Sequence, residues 1–224
     1  MVNQDRNVFA ACMVANGDAD AMVTGLPRSW MVCYEDIGRV IDPRPGERPF
    51  GMAILIARGR TLFIADTNVH ALPAPEELAD IAVQTARVAR AMGHEPKVAL
   101  LSFSNFGNPW REKAGRVRQA VALLDGRKVD FEYDGEMNAD MALDPELRQR
   151  FFPFCRLKGQ ANVLIMPALH TADVSTRLLH QLGGGTVIGP LLIGMEKPAQ
   201  IVPLRANVSD MVQAAALAAY QSIR

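Results

Sequence analysis

A helix followed closely by an apolar strand, Glu76–Met92 and then Lys97–Phe103, constrains the fold of this chain more than any other feature. In the helix, apolar and small residues recur at helical spacing between Pro75 at its start and Gly93 at its end. The strand is almost entirely apolar, which is typical of a strand covered on both faces. Because helical and strand-like segments alternate along the chain, we predict an α/β fold.

Similar patterns predict further elements on both sides of this pair. The predicted strands are Ala21–Thr24, Gly51–Ala57, Thr61–Ala65, Val129–Tyr133 and Asn162–Met166. The predicted helices are Asn7–Ala15, one capped by Ser29 that runs to Ile41, Arg111–Leu124, Thr171–Leu182 and Val208–Tyr220. The two runs that flank Arg58-Gly59-Arg60 predict a β-hairpin. Asp42–Pro49 is rich in proline and glycine and is the expected boundary between two lobes.

Composition and charge exclude several classes of function. The 224 residues include 24 basic and 24 acidic side chains, so there is no electrostatic case for binding nucleic acid or an anionic membrane. Three scattered cysteines, Cys12, Cys33 and Cys155, lie outside any CxxC spacing and are expected to be reduced. No secretory signal pattern and no apolar stretch of transmembrane length is found. We expect a cytoplasmic protein without a metal site in this segment.

Three loops that follow predicted strands are the candidate ligand-binding segments, because ligands of open α/β sheets bind outside the carboxyl ends of strands. The first loop, SFSNFG, offers Ser102, Ser104 and Asn105 to a phosphate group or a pantetheine arm. An ordinary polar turn between a strand and a helix is the commoner explanation of such a loop.

The second loop, Tyr133–Asp140, contains three carboxylates that could bind a divalent cation or share a proton as an acid/base pair. Its Asp and Asn side chains could equally cap a turn and the next helix. The third segment, Met166–Asp173, puts His170 in the first turn of a helix, where the helix dipole favours a neutral imidazole. That imidazole could donate to a ligand carbonyl, or it could be a partly buried structural group.

The residues alone therefore predict an α/β protein that holds a small anionic ligand at its strand ends. They do not reveal a reaction, since no serine or cysteine is paired in sequence with a plausible base.

The segment Gly183–Asp210 is glycine-rich and apolar, contains Lys197-Pro198, and leads into the last predicted helix. It resembles the C-terminal signature of the phosphate acetyl/butyryltransferase (phosphotransacetylase) family. SFSNFG is similar to the Ser-x-Ser loop of that family, and DGEMNADMA is similar to its Asp-Gly-x-x-x-x-Asp-x-Ala element, in the same order. YEDIGRVID and GGGTVIGPLLIG resemble the form of this domain found at the C-terminus of bacterial NADP-dependent malic enzymes.

The resemblance implies a three-layer, two-lobe α/β fold of the isocitrate/isopropylmalate dehydrogenase-like type, with the first lobe truncated. Residues 1–44 and 203–224 would form the partial first lobe, and residues 45–202 the second lobe, through which the family dimerises. It also implies acetyl-CoA or CoA as the ligand and a homo-oligomer, dimeric or larger, as the assembly. The malic enzyme catalytic portion, with its NADP and divalent metal, would lie in the same polypeptide outside this segment.

A set of candidate acetyl-CoA or anion-binding residues follows from the matched motifs. They are Ser102, Ser104, Asn105, Asp134, Asn138, His170, Lys197, Arg205 and Asp210. The chain departs from the family at Pro203-Leu204, where acetyltransferases have a Ser-Arg pair whose arginine can bind phosphate with two hydrogen bonds. Arg205 lies one position later and could restore the cation but not the hydroxyl.

A second departure lies near the start of the chain, where Ser29-Trp30 replaces a Thr-Thr pair and Glu35 replaces an arginine. Loss of such contacts costs on the order of several kcal/mol of transition-state stabilisation. We therefore expect a regulatory domain that senses acetyl-CoA in a malic enzyme and does not transfer the acetyl group. An active phosphate acetyltransferase, which forms acetyl phosphate and CoA from acetyl-CoA and phosphate, is the main alternative. A purely structural oligomerisation module is the third.

Overall fold

The computed structural model describes residues 5–110 and 112–223, and they fold as two compact units. Unit 1 comprises the described residues up to Ala53 together with those from Ile188 onward. Unit 2 comprises Ile54–Val187. The chain passes between the units within strand β2 (Phe50–Ala57) and again within strand β7 (Thr186–Ile193).

The observed division differs from the predicted one, which placed residues 45–202 in a single lobe. Residues 45–53 and 188–202 belong to unit 1 instead. One cause is a parallel pairing of β1 (Met22–Gly25) with β8 (Ala199–Val202), which ties two distant parts of the chain together. A pairing of such high sequence separation has no local signature, so the boundaries could not be placed from composition alone.

Unit 1 is built from the two-stranded sheet and three helices. These helices are α1 (Arg6–Asn16), α2 (Trp30–Gly38) and α8 (Val208–Ser222). Each begins at a side chain that accepts backbone N–H groups, which is the usual way to satisfy the first donors of a helix. Asp5 caps α1, Ser29 caps α2 as predicted, and Asn207 caps α8.

A buried polar network fastens α1, α2 and the end of β1 within unit 1. The side-chain amide of Asn7 donates to Asp36 at 3.0 Å, and its oxygen accepts from the Thr24 hydroxyl at 2.5 Å. Arg28 donates to Asp36 at 2.7 Å and to Asp5 at 2.6 Å. The hydrogen bond from Arg28 lowers the pKa of Asp5. Because Arg28 faces two carboxylates, its charge is compensated inside unit 1.

A six-stranded sheet has the order β5-β4-β6-β3-β2-β7. The remaining strands are β3 (Arg60–Ala65), β4 (Lys97–Leu101), β5 (Glu132–Met137) and β6 (Val163–Ile165). β3, β6, β4 and β5 are parallel to one another, so their carboxyl ends lie at one edge. The remaining helices are α3 (Pro75–Ala91), α4 (Glu112–Arg127), α5 (Ala139–Leu143), α6 (Pro145–Phe151) and α7 (Leu169–Leu182).

Helices cover both faces of the parallel strands. Crossovers between parallel strands are almost always right-handed. Because β3 to β4 and β4 to β5 step in the same direction along the sheet, α3 and α4 lie on one face, where they contact each other. The step from β5 to β6 runs the other way and places α5 and α6 on the opposite face. There Ile64, Ala99 and Leu164 form a core with Met141 of α5 and Ala172 of α7. The predicted α/β fold with layered helices is confirmed.

Most predicted elements are confirmed, with ends that move by a few residues. The predicted strand Val129–Tyr133 is wrong in its placement, since β5 spans Glu132–Met137. β7, β8, α5 and α6 were not predicted. No helix among residues 5–110 and 112–223 has the length and apolar character needed to cross a bilayer.

The connection after β5 is held by a buried arginine on α6. The Arg148 guanidinium donates to the carbonyl groups of Met141 at 2.7 Å and Ala142 at 3.3 Å. It also donates to Leu157 at 3.1 Å and Gly159 at 2.6 Å. One side chain thus donates to four backbone carbonyls, of which that of Ala142 also accepts from the Ala161 N–H.

Replacement of this arginine should destabilise the protein strongly. We expect Arg148→Met to lower the free energy of unfolding by about 3 kcal/mol, because buried carbonyls lose their donors. Urea denaturation measures the change. Arg150→Ala on the same helix is the matched control, since Arg150 is exposed, and it should change stability by less than about 1 kcal/mol. Equal effects of the two substitutions would contradict this account of α6.

Candidate functional site

Five of the predicted site residues follow the carboxyl ends of parallel strands in unit 2, where ligands of such sheets usually bind. Ser102, Ser104 and Asn105 follow β4, Asn138 is the N-cap residue of α5 after β5, and His170 follows β6. Asp134 lies in the middle of β5 instead. The contacts of each residue nevertheless differ.

The loop after β4 is fastened to the end of β5 by one buried carboxylate. Oε1 of Glu136 accepts from the Ser104 hydroxyl at 2.7 Å, from the Gly107 N–H at 3.0 Å and from Arg118 at 2.8 Å. Both Ser104 and Glu136 are fully buried. The backbone adds a bond from the Phe106 N–H to the Glu136 carbonyl at 2.8 Å. The Ser104 hydroxyl therefore stabilises the loop in this structure through its hydrogen bond to Glu136.

Two further bonds complete this attachment. The Asn105 side-chain oxygen accepts from the Asn138 N–H at 2.7 Å, and the Ser102 N–H donates to the Met137 carbonyl at 2.9 Å. Ser102, Asn105 and Asn138 are half-buried. These three residues remain candidates for ligand contact, because they lie at the edge that the loop leaves accessible.

Helix α4 supplies two arginines to the same edge. Arg118 pairs with Glu136 and lies 4.1 Å above the ring of Trp110, which is largely exposed. Arg116 donates to the carbonyl of Pro73 and, at 3.1 Å, to that of Pro167. One helix therefore fixes the loop after β4 and links the loops that follow β3 and β6.

The loop after β3 contains an aspartate and a histidine that sequence analysis did not select. The buried Asp66 carboxylate accepts from the backbone N–H groups of Asn68, Val69 and His70 and lies 2.8 Å from His70 Nδ1. Burial alone would raise the pKa of Asp66, but the bonds from His70 and the backbone outweigh it and lower the pKa. An ionised Asp66 accepts from Nδ1–H of His70 and so orients the imidazole ring.

Two polar atoms at this edge are buried without a hydrogen-bond partner among the described residues. They are Thr67 Oγ1, after β3, and Glu136 Oε2, in β5. Buried polar groups are normally paired, with protein or with bound molecules. Together they mark the edge as a place where a ligand or ordered water can add hydrogen bonds.

The three carboxylates were predicted to lie in a loop after a strand. This placement is wrong for Asp134 and Glu136, which lie inside β5. Asp134 accepts from the Arg156 backbone N–H at 2.7 Å and its guanidinium at 3.2 Å. Glu136 faces Arg118, and Asp140 lies in the first turn of α5. Separate basic partners thus hold Asp134 and Glu136 apart.

Metal-binding clusters and the reactivity of two cysteines can be assessed in the described part of the chain. No group of three or more His, Cys, Asp or Glu side chains is arranged there to hold a metal ion. Burial raises the pKa of Cys33, and it raises the pKa of Cys155 to about 11. Both residues are therefore neutral thiols at physiological pH and poor nucleophiles.

The other predicted site residues belong to unit 1. Lys197 is exposed between β7 and β8, and Pro203-Leu204 follow the last residue of β8. Leu204 is 59% exposed, and Arg205 is exposed beside it. Asp210 accepts from the Asn207 N–H at 2.8 Å and so caps α8. The predicted residues therefore fall into two groups, one in each unit.

Sequence reasoning missed Glu136, Arg118, Arg116 and the pair Asp66 and His70. The pattern DGE did contain Glu136, but only as a loop carboxylate. The contacts of Glu136 depend on a β-bulge. Leu100 pairs with Gly135 but Leu101 pairs with Met137, so Glu136 is the extra residue of β5 at this point. No local pattern predicts which arginine of a basic helix will meet a buried carboxylate.

Comparison with known proteins places this fold and edge in a defined class. Residues 1–219 match the family described as phosphate acetyl/butaryl transferase. The NADP-dependent malic enzyme of Rhizobium meliloti (strain 1021) is 55% identical over 99% of this chain, which spans 29% of that enzyme. The phosphate acetyltransferase of Treponema pallidum (strain Nichols) is 34% identical over 96% of this chain and 67% of its own length.

The structural comparison agrees with the sequence comparison. A phosphotransacetylase from Streptococcus pyogenes superposes with a TM-score of 0.91 at 31% identity, over 97% of this chain and 67% of that one. The fold is therefore that of a phosphotransacetylase. The chain belongs to the phosphate acetyl/butaryl transferase family, and it is similar to the part of malic enzymes that carries this domain.

The lowered pKa of Asp66 predicts a pH dependence of stability. Its ionised form is favoured in the folded state, so its contribution is present at neutral pH and is lost as the pH falls through the folded-state pKa. We expect Asp66→Asn to lower the free energy of unfolding by about 2 kcal/mol at pH 7. The difference from wild type should shrink below about pH 4.

Urea denaturation at a series of pH values measures this difference. Asp130→Asn is the control, since Asp130 is 78% exposed in its pair with Arg90 and should contribute less than about 1 kcal/mol at any pH. If Asp66→Asn lowers the free energy of unfolding by the same amount at every pH, the charge of the carboxylate is not what stabilises the turn.

Proposed function

We propose that this chain is a regulatory, acetyl-CoA-binding domain of an NADP-dependent malic enzyme and that it does not itself transfer an acetyl group. The observation that carries the proposal is the end of β8. Pro203 and a largely exposed Leu204 follow it directly, where the family resemblance leads us to expect a hydroxyl and an arginine. An apolar side chain cannot neutralise a phosphate or an acetyl phosphate during transfer.

The proposal that this domain belongs to a malic enzyme is supported by sequence identity and by the small part of such a relative that the chain spans. The chain is 55% identical to an NADP-dependent malic enzyme but spans only 29% of it. The remaining length of such a relative is available for a dehydrogenase that converts malate to pyruvate. In the proposed parent protein, NADP and a divalent metal belong to that catalytic portion, in cis with this domain.

The edge of unit 2 supports the binding of a CoA derivative. CoA carries phosphates, hydroxyl groups and amides, and it needs several donors and acceptors along an extended path. Half-buried Ser102, Asn105 and Asn138 lie there, and Thr67 Oγ1 and Glu136 Oε2 are buried without partners among residues 5–110 and 112–223. A loop held by Glu136 would present these groups with little loss of conformational entropy on binding.

Regulation requires that acetyl-CoA bind two states of the parent with different affinity. Coupling free energies between such sites are typically about 1–3 kcal/mol. The proposed assembly is a cytoplasmic homo-oligomer, at least a dimer, in which neighbouring domains could transmit that difference. Light scattering of the purified chain tests the assembly.

A phosphate acetyltransferase activity is the second candidate. Relatives named phosphate acetyltransferase match nearly the whole chain, and Arg205 lies one residue beyond the position of the missing arginine. A shift of one residue could bring its guanidinium to an anion, although the hydroxyl would still be absent.

An assay of acetyl-CoA formation from acetyl phosphate and CoA separates the two candidates. We expect turnover no higher than the background without protein, in wild type and in Arg205→Ala alike. Turnover well above background that falls at least tenfold in Arg205→Ala, but not in the exposed control Arg60→Ala, would establish the transferase instead. In the whole parent, acetyl-CoA should change the rate of malate-dependent NADP reduction, and an unchanged rate would contradict the regulatory role.

A further inference from the structure

Helix α4 presents two arginines to the carboxyl edge of unit 2, and their charges are compensated differently. Arg118 pairs with the buried Glu136 carboxylate at 2.8 Å. Arg116 donates instead to the carbonyl groups of Pro73 and Pro167, and no carboxylate in the described part of the chain forms an ion pair with it. Because a carbonyl group carries no formal charge, the positive charge of Arg116 is not neutralised by these two partners.

The Arg116 guanidinium has lost part of its water without gaining a counter-charge. The side chain is half-buried, and burial lowers its pKa, although an arginine stays protonated at physiological pH. A guanidinium has more N–H donors than the two carbonyl groups use. The remaining donors can bind a further acceptor, and arginine is well suited to phosphate or carboxylate groups.

The first turn of α7 lies beside this arginine. The Pro167 carbonyl, which accepts from Arg116 at 3.1 Å, precedes Leu169, the first residue of α7, by two positions. The N-cap residue Ala168 makes no side-chain cap, and the first turn contains no acidic residue. The first N–H groups of a helix have no partner within the helix, and with the helix dipole they attract anions. The guanidinium and the start of α7 therefore offer positive charge to the same loop.

The loop after β3 adds hydrogen-bonding groups to this junction. The Leu169 N–H donates to the Ala71 carbonyl at 3.1 Å, so the loop contacts the start of α7. Within the loop, Thr67 is 4% exposed, and its Oγ1 is buried without a hydrogen-bond partner among the described residues. The Asp66 carboxylate accepts from the backbone of its own turn and from His70. The carboxylate of this loop is thus held within its own turn, while a hydroxyl there lacks a partner.

We propose that Arg116 and the first turn of α7 bind a phosphate group of the CoA moiety. The inference rests on the proposed function, since it requires that the chain bind a CoA derivative, whose charged groups are phosphates. All of the residues involved belong to unit 2. A phosphate would give Arg116 and the helix N–H groups the charge-assisted hydrogen bonds that carbonyl groups do not provide. Free phosphate lacks the pantetheine and adenosine parts, so we expect this site to hold phosphate firmly only as part of CoA.

Isothermal titration calorimetry of Arg116→Gln tests the proposal, because glutamine keeps a donor for one carbonyl group and removes the charge. Acetyl-CoA should bind this variant about tenfold more weakly than wild type, and its affinity should depend less on salt because one charge pair is lost. Arg116→Lys restores the charge and should bind within about threefold of wild type. Arg127→Gln, at the end of the same helix, is the matched control, since Arg127 is paired with Asp80, and it should leave the affinity unchanged.

Two shortened ligands identify the phosphate and separate binding from loop support. If acetyl-CoA without its 3′-phosphate binds wild type and Arg116→Gln equally, the site holds the 3′-phosphate. If that ligand still binds the variant more weakly, the site holds the diphosphate. S-acetylpantetheine has no phosphate and should bind both proteins equally. An equal loss of affinity with S-acetylpantetheine and with acetyl-CoA would show that Arg116 only supports the loops, and it would overturn the inference.

A measurement on wild type covers the case in which Arg116→Gln does not fold. In a ¹⁵N–¹H correlation spectrum, acetyl-CoA should shift the backbone N–H signals of His170 and Thr171, in the first turn of α7, downfield. S-acetylpantetheine should leave these signals nearly unchanged. Signals that do not move with acetyl-CoA, or acetyl-CoA affinity that is undiminished in Arg116→Gln, would contradict the inference while leaving the proposed function intact. If wild type does not bind acetyl-CoA, the proposed function itself fails.

Discussion

The buried Glu136 carboxylate is the interaction on which the candidate site in unit 2 depends. It binds a hydroxyl, a backbone N–H and a guanidinium with one oxygen, and so it joins β5, the loop after β4 and helix α4. A buried charge of this kind is tolerated only when it is paired and hydrogen-bonded. The partners therefore fix the shape of the loop before any ligand arrives. Arg116 links the two neighbouring loops in the same way.

In unit 1, Arg28 is held by two aspartates and the apolar Leu204 follows β8, while Arg205 beside Leu204 is exposed. Phosphoryl and acetyl phosphate chemistry depends on cations that stabilise developing negative charge. The fold is that of the phosphate acetyl/butaryl transferase family. The apolar Leu204 after β8 is the reason why we propose binding without transfer to phosphate.

Local sequence patterns were sufficient for the elements whose structure is locally determined. The apolar stripe of α3, the apolar run of β4 and the helix cap at Ser29 are each determined by residues that are close together in sequence. By contrast, β8 pairs in parallel with β1, which lies far from it in sequence, and Glu136 meets the loop after β4 at a point where β5 bulges opposite Leu100 and Leu101. These features depend on contacts between distant segments. Asp66 and His70 were also missed, because they pair within a single loop turn that has neither helical nor strand periodicity.

The central claim is that this chain binds an acyl-CoA and does not handle phosphate. Calorimetric titration of the chain with acetyl-CoA, and in parallel with acetyl phosphate and inorganic phosphate, tests it most directly. The account predicts saturable heat with acetyl-CoA and none with the two phosphates at the same concentrations. Saturable binding of acetyl phosphate or phosphate, with no heat from acetyl-CoA, would contradict it.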